Sequence, residues 1–108
     1  MSETVLVVWT TLADEAAARE LAQSLVEEGW VACAQIDLQP IDSTYPWKGE
    51  VKSERECRLT LKSRPELWDA LSRRIGELHP YELPQVVAVD ARATDAYADW
   101  VRSNTKRS

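Results

Sequence analysis

An α+β domain, with one sheet carrying both of its long helices on a single face, is what the sequence predicts. Three observations carry that expectation. Two continuous apolar runs of strand length lie near the two ends of the chain, at Val5–Trp9 and Val86–Val89. Two stretches of helical periodicity separate strand-like segments. Between those helices the period drops to two and forms a long hairpin. At 108 residues, 44% hydrophobic and 29% charged, the chain suits one packed core and a single domain over residues 1–108, with an ordered body from about 4 to 103.

Val5-Leu6-Val7-Val8-Trp9 is apolar without alternation, as in a strand covered on both sides. Thr11-Leu12-Ala13-Asp14 has the form of a capping box with Thr11 as N-cap. Ala17, Ala18, Leu21, Ala22, Leu25 and Val26 then fall on one helical stripe, and Gly29 stands at the C′ position that ends it. From Val31 the alternation puts Ala32, Ala34, Ile36 and Leu38 on one face and Cys33, Gln35 and Asp37 on the other. Pro40 to Pro46 is less regular. Cys57, Leu59 and Leu61 then alternate with Glu56, Arg58, Thr60 and Lys62 in a long strand.

Ser63-Arg64-Pro65-Glu66 predicts a second capping box, with Trp68, Leu71, Ile75 and Leu78 as the buried stripe of the helix it opens. His79-Pro80-Tyr81-Glu82-Leu83-Pro84 follows. Each proline fixes its own φ and pushes its predecessor toward extended backbone, so this stretch is a stiff connector into the last strand. Thr94 is expected to cap a short closing helix carrying Tyr97, Trp100 and Val101, and the Lys106-Arg107 tail to fray. The order is βαββαβ with a C-terminal helix, the ferredoxin-like pattern. Right-handed crossovers place both long helices on one face. The other face of the two apolar strands is then left without cover, because the closing helix is short. Large apolar patches usually mark interfaces, so the surface account predicts a homo-oligomer.

Composition narrows function mainly by exclusion. A net charge of -5 and a pI of 4.9 argue against binding a phosphate backbone. Met1-Ser2-Glu3-Thr4 lacks the basic start of a signal peptide, and no apolar run approaches membrane-spanning length. Two cysteines outside any CxxC pattern do not make a disulfide framework, so a cytoplasmic protein is expected. Five tryptophans, three tyrosines and no phenylalanine favour half-buried seams over a deep aromatic core. With three glycines and no readable nucleophile–His–acid spacing, an enzyme is not expected.

Val31-Ala32-Cys33-Ala34-Gln35, Ser43-Thr44-Tyr45-Pro46-Trp47-Lys48-Gly49, Leu61-Lys62-Ser63, His79-Pro80-Tyr81-Glu82-Leu83-Pro84 and Tyr97-Ala98-Asp99-Trp100 resemble, in that order, the signature segments of the CutA divalent-cation-tolerance family. The resemblance spans about residues 4 to 103. It implies a PII-like homotrimer packed sheet on sheet, and a role in tolerance or binding of copper and other divalent metals. The chain departs from the family pattern at Trp9, where some members carry Cys, and at Gln85, where an acidic residue is common. It also has Gln35 for Asn and Ser63 for Thr, and its Thr10–Glu15 segment is one residue longer and lacks the usual proline.

The candidate metal ligands are His79, Glu82 and Cys33. Imidazole and thiolate suit copper-type ions, and one histidine makes a site only when another subunit or another ligand joins it. Equally, His79 has a structural reading as the residue that ends a helix. Glu82 has one as the partner of Lys62 or Arg58 across a subunit seam, and Tyr81 one as a packed aromatic. Cys33 and Cys57 fall on opposite sheet faces, so they do not pair. Tyr45, Trp47, Lys62 and Tyr81 are the candidate lining of an inter-subunit cleft, with Lys62 offering charge to an anionic ligand. Metal-ion tolerance is therefore one reading. A signalling or scaffolding trimer that takes a small molecule or a partner's loop in its clefts is the other.

Overall fold

The structure, a computed structural model, describes residues 3–107; Met1, Ser2 and Ser108 of the expected single domain lie outside the described residues. Strand β1 (Thr4–Leu12) is central. It pairs antiparallel with β4 (Glu50–Ser63) on one side, Val8 opposite Leu61, and with β5 (Val87–Arg92) on the other, Val8 opposite Ala88. Strand β2 (Cys33–Ile36) closes the far edge against β4, giving the order β2-β4-β1-β5. This is the ferredoxin-like α+β arrangement that the element order predicts.

Strand period sorts the side chains. Leu6, Val8 and Leu12 of β1 and Cys57, Leu59 and Leu61 of β4 share one face, and helices α1 (Glu15–Glu27) and α2 (Trp68–Leu78) cover it with Ala18, Leu21, Leu25, Leu71 and Ile75. Val8, Leu12, Leu25, Leu59, Leu61, Leu71 and Ile75 have no exposed surface. Each such side chain contributes on the order of 2 kcal/mol, which makes this cluster the main stabilising unit.

The opposite face departs from expectation. Helix α3 (Asp95–Ser103) lies across it, and Ala98 and Val101 bury Val5 and Val7. One short helix thus covers β1 on its second side. It does not reach β5, where Val87 and Val89 are each 49% exposed, nor does it hide the stacked rings of Tyr97 and Trp100. Of the two strands expected to be bare on this face, β5 is and β1 is not.

The second expected strand is broken in two. In β2 the register pairs Ile36 with Leu59, whereas in β3 (Ile41–Trp47) it pairs Ile41 with Glu56. Residues 37–40 therefore stand opposite only Arg58 and Cys57, an excess of two that acts as an enlarged bulge and redirects the chain. Leu38 falls in this bulge and is 72% exposed, so it does not extend the apolar face. Ala32, just before β2, packs with the α3 cluster and not with the side of Ala34 and Ile36. Beyond the bulge, β3 and the first half of β4 form a two-stranded arm turned by Lys48 and Gly49, both at positive φ.

Helix ends also differ from the capping boxes. Thr11 is still in the β1 ladder opposite Arg58, and Asp14, in extended backbone, is the true N-cap: its Oδ1 accepts from the Ala17 N–H at 2.9 Å. Ser63 ends β4, and its hydroxyl donates to the Trp30 carbonyl at 2.7 Å. Helix α2 starts instead through a 3-10 turn at Pro65–Leu67 with no side-chain cap. Thr94 does cap α3, accepting from the Tyr97 N–H. Gly29, at φ +80°, ends α1 as expected. Its N–H reaches the Val26 carbonyl and the Trp30 N–H reaches that of Leu25, the paired bonds of a Schellman ending. The tail is docked there rather than frayed: the Lys106 N–H donates to the Gly29 carbonyl, and its ammonium sits 4.8 Å from the Trp30 ring centroid.

Candidate functional site

The proline-framed connector leaves α2 at His79, whose backbone is already extended at φ -75° and ψ 136°. His79 is 7% exposed, and both of its ring nitrogens are engaged. The Tyr81 N–H donates to Nδ1 at 3.1 Å, so Nδ1 carries no proton. The proton is on Nε2, which donates to the Thr11 carbonyl at 2.9 Å. Burial holds the imidazole pKa below its ordinary value, with the Thr11 carbonyl and the Glu56 charge acting weakly the other way. The only histidine is therefore a neutral clamp that fixes the connector to the end of β1. A metal would have to displace one of these two bonds.

The clamp sets Tyr81, whose ring meets the imidazole edge-on at 4.8 Å between centroids. Its hydroxyl donates to Glu56 Oε2 at 2.8 Å. Burial, and then this bond to a carboxylate, raises the phenol pKa well above its usual value. Glu56 is itself 7% exposed. Glu82 makes no ion pair within the chain among the described residues, and the pairing expected of it lies across a subunit seam.

Around this pair opens a cleft of about 510 Å3, walled by the connector on one side and by the arm on the other. Tyr45 and Trp47 of β3, Tyr81 and Glu82 of the connector, and Glu54 and Glu56 of β4 line it. Tyr45 donates its hydroxyl to Glu54, which raises its pKa. Of the four residues expected to line a cleft between subunits, Tyr45, Trp47 and Tyr81 are brought together here within one chain. Lys62 is not. It lies further along β4, outside the lining of this cleft, and donates to Gln35 Oε1 at 2.7 Å.

The three expected metal ligands do not meet within the chain. Cys33 stands opposite Lys62 on β2, partly exposed, while His79 and Glu82 are on the connector. Among the described residues no three side chains of His, Cys, Asp or Glu converge into a metal-holding group. The described donors of one chain do not fit a metal ion. Cys57 lies in the helix-covered core with its thiol pKa raised by burial, and both cysteines are free thiols.

Glu56 and Glu54 went unrecognised in the sequence because alternation reads the even positions of β4 as a solvated face. The only available signal was the aromatic composition of the opposing β3 residues and of Tyr81, which gives such carboxylates partners and cover. No helix among the described residues is long and apolar enough to cross a membrane.

Comparison with known proteins adds an independent line. A family model described as CutA1 divalent ion tolerance protein matches residues 6–104. The divalent-cation tolerance protein CutA of Thermus thermophilus is 39% identical over 106 residues, covering 97% of this chain and 99% of that one. That of Pyrococcus horikoshii is 33% identical over 104 residues, covering 95% and 100%. A chloroplastic CutA protein of Arabidopsis thaliana is 34% identical over 94% of this chain, though over only 56% of its own length. Among solved structures, that of CutA1 from Pyrococcus horikoshii superposes with a TM-score of 0.88 at 32% identity, covering 94% of this chain and 99% of that one. That of CutA1 from Oryza sativa reaches 0.89 at 32% identity, covering 97% and 96%.

Proposed function

The chain belongs to the CutA1 divalent ion tolerance protein family, and on that footing we propose that it serves divalent-metal tolerance, copper included, as a cytoplasmic homotrimer without enzymatic activity. The single observation carrying this reading is the family match across residues 6–104, supported by two curated CutA relatives covered over essentially their whole length. The geometry adds a constraint. Among the described residues one chain offers no converging ligand set, which supports a metal held where subunits meet. Cys33 and Glu82 are the side chains most free to contribute. His79 joins them only by giving up the Thr11 carbonyl or the Tyr81 N–H.

A crystal soaked in copper and read by anomalous scattering tests this. A peak at a subunit boundary, with Cys33 or Glu82 in contact, is the expected result. A full site inside one subunit contradicts the shared-site reading, and no peak removes direct copper binding. Titration of Cu(II) and Cu(I) into the wild type and His79→Ala then decides the histidine, because equal binding by both excludes it.

A second reading rests on the cleft. Its 510 Å3 volume and aromatic lining suit a small organic molecule or a partner's loop, in a signalling or scaffolding trimer for which metal association is incidental. Thermal stabilisation by a metabolite in the absence of metal favours it.

A further inference from the structure

We propose that the cleft between the arm and the connector is a site for a small organic cation, an ammonium or alkylated ammonium head group. This rests on the small-molecule reading of the cleft and specifies the charge of its ligand. Glu56 is the central observation. It is more than nine-tenths buried, it lines the cleft, and it carries a carboxylate. Its Oε2 takes the Tyr81 hydroxyl at 2.8 Å, its Oε1 has no donor among the described residues, and it makes no ion pair among them.

A buried carboxylate ordinarily has a cation or several donors to offset its desolvation. Here Oε2 has one phenol, Oε1 stays open to the cleft, and Lys52 and Arg55 also line that volume. Burial also strengthens the field of this charge relative to the exposed ones at the rim. Of the two basic residues at the cleft, Arg55 is exposed and is directed to Asp42 at 3.7 Å. Lys52, in register with Tyr45, also lines the cleft but makes no ion pair with Glu56 among the described residues. Lys62, the cation that would have favoured an anionic ligand, is bonded to Gln35 outside the cleft.

The aromatic walls suit the same ligand. Tyr45, Trp47 and Tyr81 present rings around a space bounded by Glu54, Glu56 and Glu82. Ring faces attract ammonium groups, most strongly when these are poorly hydrated, and carboxylates supply the formal counter-charge. Trp47 already engages one ammonium in this way, with Lys48 Nζ at 5.6 Å from its ring centroid. A compact cation such as a divalent metal requires several converging oxygens or nitrogens, which this cleft does not offer. An alkylammonium needs one buried carboxylate and aromatic cover, which it does.

The test is calorimetric titration of the assembled, metal-free protein with n-butylammonium and tetramethylammonium chloride, against sodium butyrate as a probe of similar size and opposite charge. Saturable binding of the ammonium probes, with no butyrate binding, is expected. Glu56→Gln keeps an acceptor for the Tyr81 hydroxyl and removes the charge, and it is expected to weaken ammonium binding at least tenfold. Trp47→Ala, on the half-exposed arm, is expected to weaken it several-fold, and it serves if the Glu56 variant does not fold. Ammonium binding unchanged in both variants overturns the proposal. Binding of butyrate in place of the ammonium probes also overturns it, while leaving the small-molecule reading of the cleft intact. Absence of binding by all three probes overturns it as well, and the broader reading is then judged separately by the metabolite screen. Closure of the cleft by a neighbouring subunit's Lys or Arg on Glu56 in a crystal of the assembly would overturn it outright.

Discussion

His79 shows how one side chain does structural work that its chemistry disguises. Imidazole is the ligand one looks for in a metal-tolerance protein, yet here each nitrogen has a backbone partner. Its pKa is lowered on folding from the ordinary 6.5. The unfolded chain therefore takes up the proton first as pH falls. The stability His79 contributes is complete above about 6.5 and declines below it, until the folded protein protonates as well. Urea unfolding between pH 8 and 5 should show this decline, and His79→Gln should flatten it. The variant should also cost about 1–3 kcal/mol at pH 8, because two buried backbone groups lose a fitted partner. A pH profile unaltered by the substitution would refute the clamp. Proline spacing in the sequence showed that the connector is rigid. It did not show what the rigidity positions, because the partners Thr11 and Glu56 are remote in sequence.

At the scale of elements, the legible features were those encoded by local periodicity. The α1 stripe, its Gly29 ending, the Thr94 cap and the alternation of Cys57, Leu59 and Leu61 all follow from spacing within one segment. The misread features depend on pairing. Thr11 and Ser63 have the chemistry of N-caps, but ladder bonds hold both in strands. The bulge at 37–40 arises from register against β4 and leaves no periodic trace. The two positive-φ glycines allow a direct comparison. Gly29→Ala and Gly49→Ala both force a left-handed residue, at about 1 kcal/mol each. A Cβ at Gly49 meets nothing within 4 Å, whereas at Gly29 it lies 3.3 Å from Lys106 Cγ, where the tail docks. Denaturant midpoints should therefore fall further for Gly29→Ala. The reverse order would mean that the tail contact is dispensable.

Over the whole molecule, the account of surfaces read from the sequence holds at β5 and fails at β1. Helix α3 covers the second side of β1, which leaves Val87, Val89, Tyr97 and Trp100 exposed on that side of the sheet. A trimer that packs sheet on sheet should bury these residues first. Val89→Glu then puts a charge into the interface, and sedimentation should shift from three subunits toward one while the far-ultraviolet circular dichroism stays unchanged. A variant that remains fully trimeric would place the interface elsewhere.

The arm beyond residue 40 has no helix over it, and with it the molecule measures 47 Å along its longest axis but only 24 and 23 Å across. A ribbon of two strands is held mainly by its own ladder, so it can part from its root without disturbing the Leu59 and Leu61 layer. Backbone amides from Thr44 to Lys52 should accordingly exchange with deuterium as a single fast block. Anything that grips the ribbon, whether a neighbouring copy or an occupant seated at Trp47, would be registered as the slowing of that block alone.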